Sequence, residues 1–196
     1  KHNISALVGY SAQKDKSYGL NGSNTDIPEF IYTMTGNVKT MTASSSLKEL
    51  TLVSLFGRVM YTYDDRYLFS ASIRRDGSSR FHKDHRWGFF PSLSGAWRIS
   101  EESFMESTRS WLDNLKIRLS WGKLGNSEIG NYEYQSVYGP SRYVFGNALA
   151  SGLAITAASN ELLQWEATTT TNFGIDASLL NNRLTASIDI YHKMTT

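Results

Sequence analysis

The sequence predicts an all-β fold, an antiparallel up-and-down transmembrane β-barrel segment of about seven strands that forms an incomplete barrel. Three observations carry this expectation. Seven stretches alternate apolar and polar residues with a period of two, the spacing that puts successive side chains on opposite faces of a strand. Short turns and long connections rich in Gly, Ser, Asn and Tyr follow one another strictly, as in barrels with short turns on one side of a membrane and long loops on the other. Aromatic residues gather where the apolar face meets the connections.

Each stretch supports the pattern in turn. "NISALVGY" (3–10) aligns Ile4, Ala6, Val8 and Tyr10, and "TLVSLFGRVMYTY" (51–63) aligns Val53, Leu55, Val59, Tyr61 and Tyr63. Asp64-Asp65 is a tight turn into "RYLFSASIRRDGSSRF", where Tyr67, Phe69, Ala71 and Ile73 oppose Ser70, Ser72 and Arg74 until the pattern breaks at Asp76. "WGFFPSLSGAWRIS" (87–100) aligns Phe89, Leu93, Trp97 and Ile99. Residues 101–113 predict a short helix capped around Ser100, Glu101, Glu102 and Ser103. "LKIRLSW" (115–121) sets Leu115, Ile117, Leu119 and Trp121 against Lys116, Arg118 and Ser120. "WEATTTTNFGIDAS" (165–178) carries Phe173 and Ile175 on one face, and "LTASIDIYHK" (184–193) carries Ile188 and Ile190. Between these two, Asn181-Asn182 suits the left-handed positions of a hairpin turn. The long connections are 11–50, 76–86 and 122–164.

Composition narrows the function classes. The 196 residues hold 20 Lys+Arg against 18 Asp+Glu, a net charge of +2 without a basic run, so no nucleic-acid footprint is present. Cysteine is absent, which removes disulfides, thiolate metal sites and a Cys nucleophile. No stretch reaches the roughly 18 apolar residues of a membrane helix, a test that strands of alternating polarity never meet. Lys1-His2-Asn3-Ile4 shows no signal peptide, and "IDIYHKMTT" stops in mid-pattern, so residues 1–196 are expected to be one partial barrel domain of a longer protein, without its plug.

Alternation alone also fits a soluble carbohydrate-binding β-sandwich, and a small structural membrane barrel is a second alternative. Strands of about ten residues favour a membrane wall, because a tilted membrane strand needs about nine to eleven. The outward, lipid-facing set is Val53, Leu55, Phe69, Ile73, Leu93, Leu115, Ile117, Leu119, Phe173, Ile175, Ile188 and Ile190. The aromatic girdles are Tyr61, Tyr63, Tyr67 and Trp97 at the short-turn end, with Phe89, Trp121 and Trp165 at the other. The opposite face carries Ser, Thr and charged residues, as a water-filled lumen does.

The stretch "YTYDDRYLFSASIRRDGSSRFHKDHRWGFFPSLSGAWRISEESFM" resembles the barrel of SusC/RagA-type TonB-dependent outer-membrane transporters. "LKIRLSWGKLGNSEIGNYEY" and "LLQWEATTTTNFGIDASLLNNRLTASIDIYHK" resemble the segments that follow in that family. The resemblance implies part of a C-terminal barrel of about 22 strands in the outer membrane of a Gram-negative, Bacteroidetes-like bacterium. It implies energy-coupled import of a glycan or peptide, with a SusD-like surface lipoprotein over the barrel. TonB would act through an N-terminal region beyond these residues. No cofactor and no enzymatic activity are implied.

Within this frame the candidate residues fall into two groups. Arg98, Lys116 and Arg118 lie on consecutive strands on the inward face, either paired with acidic residues of a plug or simply hydrated. Tyr132, Tyr134, Tyr138, Arg142, Tyr143 and Phe145 lie in the long connection, where they suit sugar stacking, contact with a lipoprotein lid, or loop packing equally well. His82, Asp84 and His85 read as a solvated loop, since three near-neighbours do not converge easily on one ion. Asp64-Asp65 and Glu101-Glu102 read as turn and cap residues, because sequence neighbours on a strand point apart. "RRDGSS" lacks the helix and Lys of a phosphate loop, and no Gly-x-Ser-x-Gly nucleophile motif occurs.

Overall fold

A computed structural model describes residues 1–25, 29–30, 33 and 39–196. Among these residues, seven strands form one antiparallel sheet in the order β1 (His2–Ser23), β2 (Thr42–Tyr63), β3 (Tyr67–Ser78), β4 (Trp87–Arg98), β5 (Leu112–Asn126), β8 (Glu166–Leu179) and β9 (Leu184–Thr195). Two further strands, β6 (Val137–Phe145) and β7 (Ala148–Ala157), pair only with each other. The main sheet is an up-and-down meander, interrupted only by this hairpin between β5 and β8.

The register puts the predicted apolar residues on one face. Tyr61, Phe69, Gly95, Leu119, Phe173 and Ile190 stand opposite one another across six strands. The row beside it holds Tyr63, Tyr67, Trp97, Ile117, Ile175 and Ile188. Read along such rows, the apolar band slides from Val53–Tyr63 on β2 toward Phe173–Leu179 on β8. Strands tilted across a layer of constant thickness produce that drift. The other face reads Ser70, Ser94, Ser120 and Asn172 in one row.

Among the described residues, nothing covers the apolar face. Val8 is 80% exposed, Phe69 55%, Leu93 57% and Ile190 67%. Among the described residues, the buried apolar side chains are Phe81, Phe90, Leu112 and Ala167. A soluble sandwich would bury this face on a second sheet about 10 Å away. The β6–β7 hairpin makes no extensive contact with the main sheet and does not serve as that second layer. Lipid is the solvent that such a wall suits.

Four expectations are corrected. β1 and β2 run for 22 residues each, so the connection expected over 11–50 shrinks to 24–41, part of which lies outside the described residues. Beyond the apolar band both faces of this ribbon meet water, so the backbone ladder continues while apolar alternation stops. The connection 122–164 contains the β6–β7 hairpin, whose apolar residues sit on both exposed faces and hide the period. The helix expected over 101–113 is two 3₁₀ turns, Ile99–Glu101 and Ser103–Thr108, with no side-chain cap. The strand at Asp76 also continues to Ser78.

The tight turns agree with expectation. Asp64 and Asp65 have φ of 52° and 55°, and Leu180, Asn181 and Asn182 have 58°, 57° and 60°. Asp and Asn tolerate this left-handed region best among residues with a side chain.

In the full-length protein, Leu119→Arg, nearer the middle of the outer apolar run of β5, is expected to cost about 2–4 kcal/mol, the figure for a charge near the midplane of a barrel's lipid face. Ser120→Arg, on the opposite face, should cost much less. A detergent or liposome folding titration checks this; equal losses would reverse the assignment of faces.

Candidate functional site

One cluster of inner-face charges lies near the short turns. Arg98, Lys116 and Asp176 are register neighbours on β4, β5 and β8. Lys116 Nζ lies 3.0 Å from Asp176, and Arg118 donates to both Asp176 oxygens at 2.8 and 2.9 Å. Arg118 Nη2 also reaches Asp189 on β9 at 3.2 Å. Its guanidinium lies over Gly174, where a Cβ would come within 2.8 Å of Nη2. Lys116 and Arg118 therefore have carboxylate partners in the wall itself, while Arg98 donates to the Asp65 carbonyl at 3.4 Å. Asp176 and Asp189 were not singled out from sequence. Their signal was their inner-face parity on a hairpin whose register the Asn181-Asn182 turn sets.

At the same end, the outer aromatics form a continuous strip. Ring centroids are 6.1 Å apart for Tyr63 and Tyr67, 6.4 Å for Tyr67 and Trp97, and 6.4 Å for Tyr61 and Phe69. Glu102 ties the strip to the turn below. It accepts from Tyr67 Oη at 2.6 Å, Trp97 Nε1 at 3.0 Å and Arg66 Nη1 at 3.2 Å. These donors, Tyr67 first, hold its carboxyl below the ordinary glutamate range. The residue expected to help cap a helix instead anchors the girdle.

The long-connection end is closed by a second network. Arg80 Nη1 donates to the Ser127 carbonyl at 2.8 Å and Nε to Asn131 Oδ1 at 3.0 Å. Asn131 Nδ2 donates to the Glu49 carbonyl at 3.3 Å, and Glu49 N–H donates to Tyr132 Oη at 3.0 Å. The segment after β5 is thus pinned to β2 and to the β3–β4 connection. Beneath it, the fully buried Phe81 and the buried Phe90 flank Trp165, at 5.4 and 5.3 Å. Trp165 Nε1 donates to the Arg86 carbonyl at 2.9 Å. Trp165 consequently sits apart from Phe89 and Trp121, which keep outer-face positions. His82 meets Asp84 at 3.3 Å and the Tyr134 ring at 6.0 Å. Among the described residues, no group of three His, Asp or Glu converges as metal ligands would.

The six residues expected together in the long connection separate. Tyr132, with φ of 70°, and Tyr134 belong to the pinned base. Tyr138, Arg142, Tyr143 and Phe145 ride on the hairpin. Tyr143 and Phe145 stack edge-on at 5.5 Å over the small residues Ala150 and Ala148, and Tyr138 and Arg142 lie on the other face.

The chain matches the family described as "TonB dependent receptor-like, beta-barrel" over residues 1–195. It belongs to the TonB-dependent receptor β-barrel family. It is 46% identical over 150 residues to TonB-dependent receptor SusC of Bacteroides thetaiotaomicron, covering 74% of this chain and 15% of that protein. It is 38% identical over 193 residues to TonB-dependent receptor P3 of Formosa agariphila, covering 97% of this chain and 19% of that protein. Among solved structures, the RagAB peptide importer in its closed-closed state superposes on all of this chain with a TM-score of 0.86 at 32% identity, over 22% of the longer chain. The family member described here is thus of the SusC/RagA type, and it spans about a fifth of the length of these relatives.

Two outcomes test the end networks. Phe81→Ala should destabilise the full-length receptor by about 3–5 kcal/mol, the range for a fully buried Phe, measured by chemical unfolding in detergent. Because the Glu102 carboxyl is held low, its stabilisation is present above the ordinary glutamate value of 4.5 and is lost as pH falls through the lower folded value. Glu102→Gln should therefore lower thermal stability at neutral pH, and the difference from wild type should shrink on acidification. A constant difference across that range would remove the carboxylate from the account.

Proposed function

We propose that this protein is part of the barrel wall of an outer-membrane importer, a transporter rather than an enzyme. The observation that carries the reading is the two-sided wall: one bare apolar face and one face of serines, threonines and paired charges, within a receptor family. The open edges of β1 and β9 would pair with further strands of a longer barrel, since unpaired backbone groups in hydrocarbon cost several kcal/mol each. The plug and the segment that engages TonB would lie elsewhere in the whole protein. The long connections would face the cell exterior and the short turns the periplasm.

The cargo we propose is a glycan or peptide too large for passive pores, received beneath a SusD-like surface lipoprotein. The exposed rings of Tyr138, Tyr143 and Phe145 on the hairpin support contact with the cargo or the lid. Arg98, at the periplasmic end of the inner face, is the cation proposed to meet a plug carboxylate; Lys116 and Arg118 would meet the plug as a neutralised block. In the full-length receptor, a Cys placed at Gly146, the open hairpin turn, should react with a membrane-impermeant maleimide on intact cells. Deleting residues 137–157 should abolish uptake of the imported nutrient while the barrel remains folded. Labelling only after the outer membrane is opened would overturn the topology, and uptake unchanged by the deletion would overturn the role of the hairpin.

A further inference from the structure

The "RRDG" segment sends its two arginines to opposite sides of the wall. Arg74 is on the inner face, where Nε reaches both Asp76 oxygens at 2.7 Å and Nη2 reaches Ser54 at 3.1 Å. Arg75 is on the outer face, opposite Leu55 and Phe89, with its guanidinium 4.7 Å from the centre of the Trp87 ring. The ring can lie there because residue 77 is glycine: a Cβ would come within 2.8 Å of the indole. Stacking on an aromatic face holds a guanidinium while leaving its in-plane N–H groups free to donate.

Arg75 belongs to a collar. On every strand of the sheet but β4, whose outer face stays apolar or aromatic through Phe89 and Trp87, the first outer-face position past the apolar band toward the long connections is polar: Lys14 on β1, Thr51 on β2, Arg75 on β3, Lys123 on β5, Thr171 on β8 and His192 on β9. No carboxylate occupies any of these positions. Glu49, one outer position higher, is engaged by Lys14 at 3.4 Å and Lys16 at 2.6 Å. Among the described residues no carboxylate lies within 4.0 Å of Arg75 or Lys123, and Asp84 in the loop above is 3.3 Å from His82. The opposite edge of the band differs, for there Arg66 meets Asp64 and Glu102, and Arg109 meets Glu101.

Directly below Arg75, an apolar groove of about 440 Å³ runs along the outer face between Val8, Gly57, Ile73, Pro91, Leu93 and Trp121. Unpaired cations above an apolar groove match one kind of occupant. We infer that Arg75 and Lys123 bind the phosphate of an outer-leaflet lipid whose acyl chain lies in this groove. The site rests on the topology proposed above, which puts the collar at the outer-leaflet headgroups. Planar guanidinium donors suit phosphate oxygens, and each basic side chain near an anionic lipid surface contributes to retention.

The test is a competition on the full-length receptor in non-ionic detergent. An equimolar mixture of lipid A with and without its phosphates is added, and bound lipid is counted by native mass spectrometry. Wild type should prefer the phosphorylated form by more than about tenfold, as two basic side chains predict. Arg75→Gln with Lys123→Gln should bring the ratio near one. Arg75→Lys should keep most of the preference, and Arg98→Gln, on the inner face and outside the groove, should keep all of it. Equal ratios in wild type and the double variant would overturn the inference, as would a preference abolished by millimolar inorganic phosphate. Should the double variant fail to fold, loss of preference in Lys123→Gln against retention in Arg98→Gln decides the matter. Maleimide labelling at Gly146 on intact cells separates the two levels. Label outside with no lipid preference overturns this site alone, whereas label only in opened cells overturns the topology with it.

Discussion

The structure depends on one constraint, that backbone N–H and C=O groups inside hydrocarbon need partners while the side chains facing lipid must be apolar. An antiparallel meander meets both demands at once. From β2 to β5 and on to β8, each strand is paired on both sides, and strand parity delivers every second residue to the outside. This explains why a chain of 196 residues buries so few apolar side chains. Apart from the small cluster around Phe81 and Phe90, the hydrophobic residues described do not form a core. They form a surface, and the solvent of that surface is lipid.

The two ends of the wall meet water and are held by polar contacts. At the short turns, Glu102 gathers the donors of Tyr67, Trp97 and Arg66, so the girdle is fixed from below. At the long connections, Arg80 joins the β3–β4 loop to the segment after β5, and Asn131 and Tyr132 carry the connection on to Glu49. The hairpin beyond this point projects from a fastened base. That division suits the importer proposed above, with a fixed wall and mouth and exposed aromatic residues on the hairpin.

Much of this was legible in the sequence because strand parity is a local property. Leu115, Ile117, Leu119 and Trp121 against Lys116, Arg118 and Ser120 already assign both faces of β5, and Asn181-Asn182 already marks the β8–β9 turn. The long ribbon of β1 and β2 was not legible past Tyr10, because where both faces meet water the residues from Ser11 to Ser23 need no alternation. The β6–β7 hairpin was hidden for the same reason. Glu102 lies 35 residues from Tyr67, and Arg80 lies 47 from Ser127, so neither contact leaves a local pattern. Trp165 read as a girdle residue by its place at a strand start, but its partners Phe81 and Phe90 come from other connections and strands.

The most direct measurement exploits the absence of cysteine from these residues. Single cysteines are introduced at Phe69, Ser70, Leu119 and Ser120 of the full-length receptor in liposomes, each is given a fluorescent label, and quenching by a bilayer-soluble and by a water-soluble quencher is compared. The account predicts that positions 69 and 119 are quenched from the bilayer and positions 70 and 120 from water. Equal quenching at all four positions, or the reverse assignment, would contradict it.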